Sequence, residues 1–250
     1  MSPPGGMARN HGLEIHTVTF CPPESESWLS AARHRDLRID VASAIANVIG
    51  LLDGGGLLVF PAGFLRAPSV EAADALAESM RKLSAASEVA LVFGIEIGGE
   101  EVWAPLAAPP VNHAFACAHG RPILWPAIQA RRDSPAERRV IEIGGLRLGL
   151  AIGAEVFNGA LRKELERARP DAIVLLTHVG PNERWRIALD GLRAIAPLFI
   201  VGDSLEEGEP PWAAPPIGWL RSDGGTTPGV IIHRYQRPRE ASAERDHQVR

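Results

Sequence analysis

The stretch Gly145-Leu-Arg-Leu-Gly-Leu-Ala-Ile-Gly-Ala-Glu-Val-Phe-Asn-Gly-Ala-Leu-Arg-Lys-Glu-Leu-Glu-Arg-Ala-Arg-Pro-Asp-Ala-Ile-Val-Leu175 holds the key to the fold. Arg147 to Ile152 is apolar and β-prone, and it follows the turn Gly144-Gly145 and a shorter run, Val140 to Ile143; together they read as a hairpin. Asn158 is a good N-cap for a helix reaching about Ala168. Pro170-Asp171 breaks that helix, and Ala172 to Leu176 is again a strand. Between the hairpin and the helix stands Gly153, with the carboxylate of Glu155 two residues on. A carboxylate between apolar runs needs a cationic or hydrogen-bonding partner. Glu155 therefore reads either as an active-site acid or as an anchor of the strand-to-helix elbow.

The same alternation runs outward in both directions. Leu13 to Phe20, Leu57 to Phe60, Val89 to Ile97, Ala114 to Ala118, Leu198 to Val201 and Val230 to Tyr235 read as strands, with a further one near Ile217 to Leu220. Leu37 to Leu52, Val70 to Ala86 and Glu183 to Ala194 read as helices. Gly98-Gly99 suggests a hairpin joining Val89–Ile97 to Val102–Leu106, and the Pro- and Arg-rich segment from Gly120 to Arg139 reads as loop. The expectation is one α/β domain over residues 11–235 with layered helices and mixed sheets, flanked by polar, disordered arms at 1–10 and 236–250.

Composition excludes several function classes. In 250 residues, 46% are hydrophobic and 22% charged, the profile of a globular chain. The 26 basic and 30 acidic residues sum to −4, so no field draws nucleic acid or an anionic membrane. No apolar run reaches the roughly 20 residues that cross a bilayer, and the N-terminus lacks a signal-peptide core. Two cysteines, Cys21 and Cys117, make no disulfide framework and point to a reducing compartment, the cytoplasm.

Common catalytic motifs are missing. Gly54-Gly55-Gly56 ends a helix instead of opening one, which suits a terminating turn and not a phosphate cradle. Ser204 sits in no nucleophile elbow of the Gly-x-Ser-x-Gly kind. His113, Cys117 and His119 would share a strand face, but residues four apart on a strand lie about 13 Å apart, too far to share one ion. No metal and no cofactor are implied. His178, closing an apolar strand, is a pocket candidate or an edge histidine with satisfied hydrogen bonds.

The order of elements resembles the nitrilase, or carbon–nitrogen hydrolase, superfamily over about Leu13 to Tyr235. Leu57-Leu58-Val59-Phe60-Pro61-Ala62-Gly63-Phe64 resembles that family's apolar strand ending in Phe-Pro-Glu. Asn112-His113-Ala114 leading to Gly120 is similar to its Asn-x-Ala strand and turn. Gly149 to Phe157 resembles its nucleophile elbow, and Arg162, Ala168-Arg169-Pro170-Asp171-Ala172 and Trp185 continue the likeness. The resemblance implies a four-layer α-β-β-α sandwich and commonly a homodimer paired through the helix after the elbow. Here that helix carries Leu161, Leu165 and Ala168 beside Arg162, Glu164 and Arg167.

The resemblance also implies a Glu-Lys-Cys triad, in which a thiolate attacks, a glutamate takes its proton and a lysine holds the oxyanion. The glutamate position is Ala62, the cysteine position Gly153, and the lysine position falls within Trp125 to Ala130, with Ala127 favoured. The only lysines are Lys82 and Lys163, and no cysteine follows Cys117. The reading is therefore a nitrilase-fold protein without its triad, binding a small molecule or a protein partner. The alternative is a divergent amidase-like hydrolase or acyltransferase using Glu155, His178 and Arg131 or Arg132. The implied pocket draws on Glu155, Ala154, His178, Phe64 and Trp125, with Phe64, Trp125 and Phe157 expected to fill the vacated volume. Ala62, Gly153 and the lysine position should converge within roughly 8 to 12 Å, the reach of a triad's side chains.

Overall fold

The computed structural model describes residues 14–20, 56–63, 65–98, 111–130, 139–179, 183–203, 215–227 and 230–237. The expected helix Leu37–Leu52, the strand segment Val102–Leu106 and most of both terminal arms lie outside them. The described strands are β1 (Glu14–Phe20), β2 (Leu57–Val59), β3 (Leu65–Ala67), β4 (Ala90–Ile97), β5 (Val111–Ala118), β6 (Arg121–Ile128), β7 (Val140–Ile143), β8 (Leu146–Ile152), β9 (Ala172–Val179), β10 (Leu198–Asp203), β11 (Leu220–Thr227) and β12 (Val230–Gln236). The described helices are α1 (Val70–Ser87), α2 (Gly159–Ala168) and α3 (Arg186–Arg193), the last entered through a single 3-10 turn at Glu183–Trp185.

Among the described residues one mixed sheet runs β11-β12-β1-β2-β4-β5-β6, with β3 also paired to β4, and a second runs β10-β9-β8-β7. The central pairs β1–β2, β2–β4, β8–β9 and β9–β10 are parallel. Strands buried on both faces must be apolar throughout, and β2 and β9 show why. Leu57 and Val59 pack between the sheets while Leu58 packs toward α1. Ala172, Val174 and Leu176 join the inter-sheet core while Ile173 and Leu175 pack under α2 and α3. The layers are therefore α1, large sheet, small sheet, and α2 with α3: an α-β-β-α sandwich, as expected.

Helix α1 buries Ala73, Ala77, Met80 and Ser84, one stripe at helical spacing. The Ser69 hydroxyl caps it by accepting from the Ala72 N–H at 3.2 Å. Beside its last turns Gly120, at φ +73, passes so close that a Cβ would lie 2.7 Å from the Ala85 Cβ. Only glycine fits that approach.

Three expectations need correction. The segment after Gly120 is not all loop, because Arg121–Ile128 forms β6. Its Pro122 and Pro126 read as breakers, but β6 is the last strand of its sheet, and an edge strand tolerates missing N–H donors. The described antiparallel partner of β4 is β5, in register from Leu91↔Cys117 to Ile97↔Val111, while the expected partner Val102–Leu106 lies outside the described residues. Ile217 lies in an exposed turn, and the strand near it is Leu220–Thr227. The dimer argument shifts as well: Leu161 and Leu165 are fully buried in the chain's own core and so are not available to a second copy.

Candidate functional site

Strand β8 ends at Ile152, and a 3-10 turn, Gly153–Phe157, leads into α2. The buried Asn158 carbonyl-type side-chain oxygen accepts from the N–H groups of Ala160 (2.9 Å) and Leu161 (3.1 Å), closing the helix N-terminus. Gly153 has φ +50, a left-handed conformation that other residues adopt at a cost.

Glu155 fixes this elbow from beneath. Its Oε2 accepts from the Ile152 N–H at 2.8 Å, and its Oε1 accepts from Arg139 Nη2 at 2.6 Å and from the Ala130 N–H. Arg139 Nη2 also donates to the Ile128 carbonyl at 2.6 Å. Glu155 and Arg139 are each 1% exposed. Burial pushes the Glu155 carboxyl up, while Arg139 and the two backbone donors pull it back. With three donors on two oxygens, the carboxylate ties the end of β6, Arg139 and the elbow into one unit. This is the anchor reading of Glu155.

Ala62 and Gly153, which the resemblance sets at the glutamate and cysteine positions, lie at one end of the sandwich. The Ala62 N–H donates to the Thr177 carbonyl at 3.1 Å. Ile152 is in register with Leu176, which places Gly153 beside Thr177. One strand spacing plus one hydrogen-bonded contact puts the Ala62 and Gly153 Cα atoms within about 11 Å. Ala62, Ala127 and Ile152 all belong to the inter-sheet core.

Ala127, however, is not the residue that reaches the elbow. Gln129, two residues on and on the same face, holds that place. A Cβ on Gly153 would lie 2.9 Å from Gln129 Nε2. Gln129 Nε2 donates to the Ile152 carbonyl at 3.1 Å, and Gln129 Oε1 accepts from Asn112 Nδ2 at 3.1 Å. The Gln129 N–H donates to the Asn112 carbonyl at 2.8 Å, extending the β5–β6 ladder by one step. The volume that a side chain on Gly153 would enter is thus held by a carboxamide.

The other expected pocket residues scatter. Ala154 is exposed on the turn. Trp125 packs edge-on against Phe115 (5.1 Å between centroids) on the α1 side of the sheet, so it cannot fill the space over Gly153. Phe157 is 39% exposed and turns outward onto Trp185. His178 lies on β9 directly after Thr177, at the same end as Gly153. Phe64, Arg131 and Arg132 lie outside the described residues. Cys117 is buried on the α1 side, where burial pushes its thiol up, and His119 is exposed in the turn after β5. No group of three or more His, Cys, Asp or Glu suited to a metal occurs among the described residues, and none of the described helices is long and apolar enough to cross a membrane.

Sequence reasoning missed Gln129 and Arg139 because both fell in the segment read as loop. Asn112 was visible only as part of a motif. Counting back symmetrically from the Ala118–Arg121 turn pairs Asn112 with Ala127, and two register shifts move that partner on to Gln129.

The sequence matches no known family profile and no curated protein. Solved structures do match. A glutamate-to-glutamine mutant of the amidase from Nesterenkonia sp. AN1, carrying the acetamide moiety of fluoroacetamide on its active-site cysteine, superposes with a TM-score of 0.58 at 18% identity, covering 93% of each chain. A cysteine-to-alanine mutant of that amidase, described as from the nitrilase superfamily, gives 0.54 at 19%, covering 91% of this chain and 92% of that one. The same substitution in complex with butyramide gives 0.57 at 19%, covering 91% and 92%. With the four layers and the elbow, this likeness identifies the fold as that of the nitrilase, or carbon–nitrogen hydrolase, superfamily.

Proposed function

We propose that this chain is a binding protein on a nitrilase fold and not a hydrolase. One observation carries the reading: the Gln129 carboxamide, held by Asn112 and Ile152, stands over Gly153 where a nucleophile's side chain would project. Glycine and alanine neither attack a carbonyl nor move a proton, and Ala62 brings no carboxylate to the site. Glu155 offers no substitute base, because its oxygens are committed to the elbow and to Arg139. The amidase of similar fold carries an active-site cysteine. This chain has no cysteine after Cys117.

The polar groups at the end of the sandwich suit a small molecule better than a protein surface. The protein acts in the cytoplasm, as a homodimer, without cofactor, nucleic acid or membrane. The test is turnover: the purified chain, incubated with a panel of amides, nitriles and carbamoyl compounds, should release no ammonia above background. Saturable ammonia release would overturn the reading. Sedimentation at micromolar concentration checks the dimer, which a single monomeric species would exclude.

A further inference from the structure

The large sheet carries a second surface, on the face turned away from the elbow. Side chains alternate along a strand, so Val111, His113 and Phe115 share one face of β5, and Phe115 packs on the α1 side. Ile128 on β6 stands opposite His113 on that face. Val111 and Ile128 are therefore diagonal neighbours, about 7–8 Å apart, with His113 beside both. Ala67, Ile97 and Val111 form one row across β3, β4 and β5, and α1 begins just after that row, at Val70. Val70 and Asp74 lie one turn apart on α1, and the Asp74 carboxylate attracts the His113 imidazole. These residues make one patch. Val70, Val111 and Ile128 are 53%, 41% and 55% exposed, and His113 lies buried between them. Two exposed carboxylates, Glu71 and Asp74, rim it.

We propose that this patch docks a basic amphipathic segment of another protein, which seats apolar side chains against Val70, Val111 and Ile128 and a lysine or arginine beside Asp74. Apolar side chains exposed singly need no explanation, but several gathered in one patch mark an interaction surface. Charge selects the occupant. Glu71 and Asp74 have no lysine or arginine partner among the described residues, whereas Glu78, further along α1, is paired with Arg81 at 2.5 Å. A second copy laid on the patch would bring these same carboxylates face to face. The chain's own segment 99–110, which joins β4 to β5, carries Glu100 and Glu101. Like charges oppose both of those occupants, and a cationic partner gains where they lose. The contact is made by side chains and not by strand pairing. On the free edge of β6 the Ile128 carbonyl already accepts from Arg139 Nη2 at 2.6 Å, and Pro122 and Pro126 have no N–H to offer. Side chains on this face point away from Gln129 and Gly153, so the surface stands independently of the binding reading above.

Labelled peptides of about 15 residues provide the test. One has leucine and lysine at helical spacing, one has glutamate for each lysine, and one has serine for each leucine. In fluorescence anisotropy the leucine–lysine peptide should bind saturably, and the other two about tenfold more weakly or not at all. Ile128→Ser should weaken binding about fivefold, and Val111→Ser repeats the measurement if Ile128→Ser does not fold. Asp74→Lys should reverse the charge preference, so that the leucine–glutamate peptide becomes the tighter ligand. Ile217→Ser and Glu166→Gln, which alter an apolar and an acidic residue exposed elsewhere, should leave the affinity unchanged. The proposal is overturned by no saturable binding of the leucine–lysine peptide, by an unchanged preference in Asp74→Lys, or by equal weakening from Ile217→Ser and Ile128→Ser. Either self occupant would overturn it too. A second copy would show as self-association in sedimentation that Ile128→Ser abolishes. The chain's own segment would show as a gain of about tenfold in peptide affinity when Val102, Trp103 and Leu106 are replaced by serine.

Discussion

Two polar clusters meet at one peptide, one charged and one neutral. The Ile152 N–H goes to Glu155, and the Ile152 carbonyl goes to Gln129. On the Glu155 side an ion pair, both of whose members are buried, is closed by backbone donors from two elements. On the Gln129 side two neutral amides form a relay that ends in an unmet acceptor. A carboxylate with three donors holds its surroundings firmly, whereas an amide relay carries no charge to do so. The comparison separates two kinds of contact: the charged cluster holds the elbow's shape, and the neutral one fills the space over Gly153.

The largest break in that contrast is Glu155→Ala. It leaves the Arg139 guanidinium buried without its carboxylate, and losing one partner of a buried pair costs about 3–5 kcal/mol. Urea denaturation should show a loss of that size or no folded protein. A loss below about 1 kcal/mol would mean that Glu155 does not anchor the elbow.

Gly153→Cys comes next. A left-handed residue with a side chain is strained by roughly 1–2 kcal/mol, and the new Cβ must also displace the Gln129 amide. The same urea experiment should show a loss of that order. In a Gln129→Ala background the loss should shrink, because only the backbone strain remains; that coupling is what a double-mutant cycle measures. Equal losses in both backgrounds would show that Gln129 does not occupy the volume over Gly153.

Acid provides a subtler probe, away from the elbow. His16 and His113 are buried, and desolvation holds both imidazoles below their ordinary value, against opposing attraction from Glu14 and Asp74 respectively. A depressed folded pKa means that the unfolded chain binds more protons, so stability rises with pH through this window. The contribution is complete above the unfolded value of about 6.5 and is lost as the pH falls from there toward the folded value. Urea midpoints measured from pH 7.5 to 5 should therefore decline, and His113→Gln should flatten the decline. A slope unchanged by that substitution would remove His113 from the account.

The elbow was legible because its signals are local: a strand-prone run, a glycine, an N-capping asparagine and a helix stop follow one another within some thirty residues. Strand β6 was hidden because the two prolines that disqualify a central strand are harmless at an edge. The site was half-legible. Ala62 and Gly153 could be placed from the ends of their strands. Ala127 was favoured over Gln129 because nothing in the sequence reveals that the β5–β6 register shifts twice, between Ala114 and Ala116 and again before Cys117. Arg139 could not be matched to Glu155 either, since no local periodicity links an arginine at the end of a presumed loop to a carboxylate beyond the next hairpin.

The smallest effect sharpens the comparison from the other side. Arg193 Nη1 meets Asp190 Oδ1 at 3.0 Å on α3, an arginine–carboxylate pair like Arg139 with Glu155 at 2.6 Å. The difference is water: the Arg193 and Asp190 side chains are 49% and 60% exposed, against 2% and 0% for Arg139 and Glu155. An exposed pair gains little over its hydrated, separated partners, and double-mutant cycles on such pairs give about 0.2–1 kcal/mol. Removing one partner at the surface also strands no charge, because water solvates the carboxylate that remains. Arg193→Ala should therefore shift stability by no more than about 0.5 kcal/mol, and 1 M salt should erase the difference. If Arg193→Ala costs as much as Glu155→Ala, burial is not what sets the two pairs apart, and the elbow's support must be sought in packing and not in its ion pair.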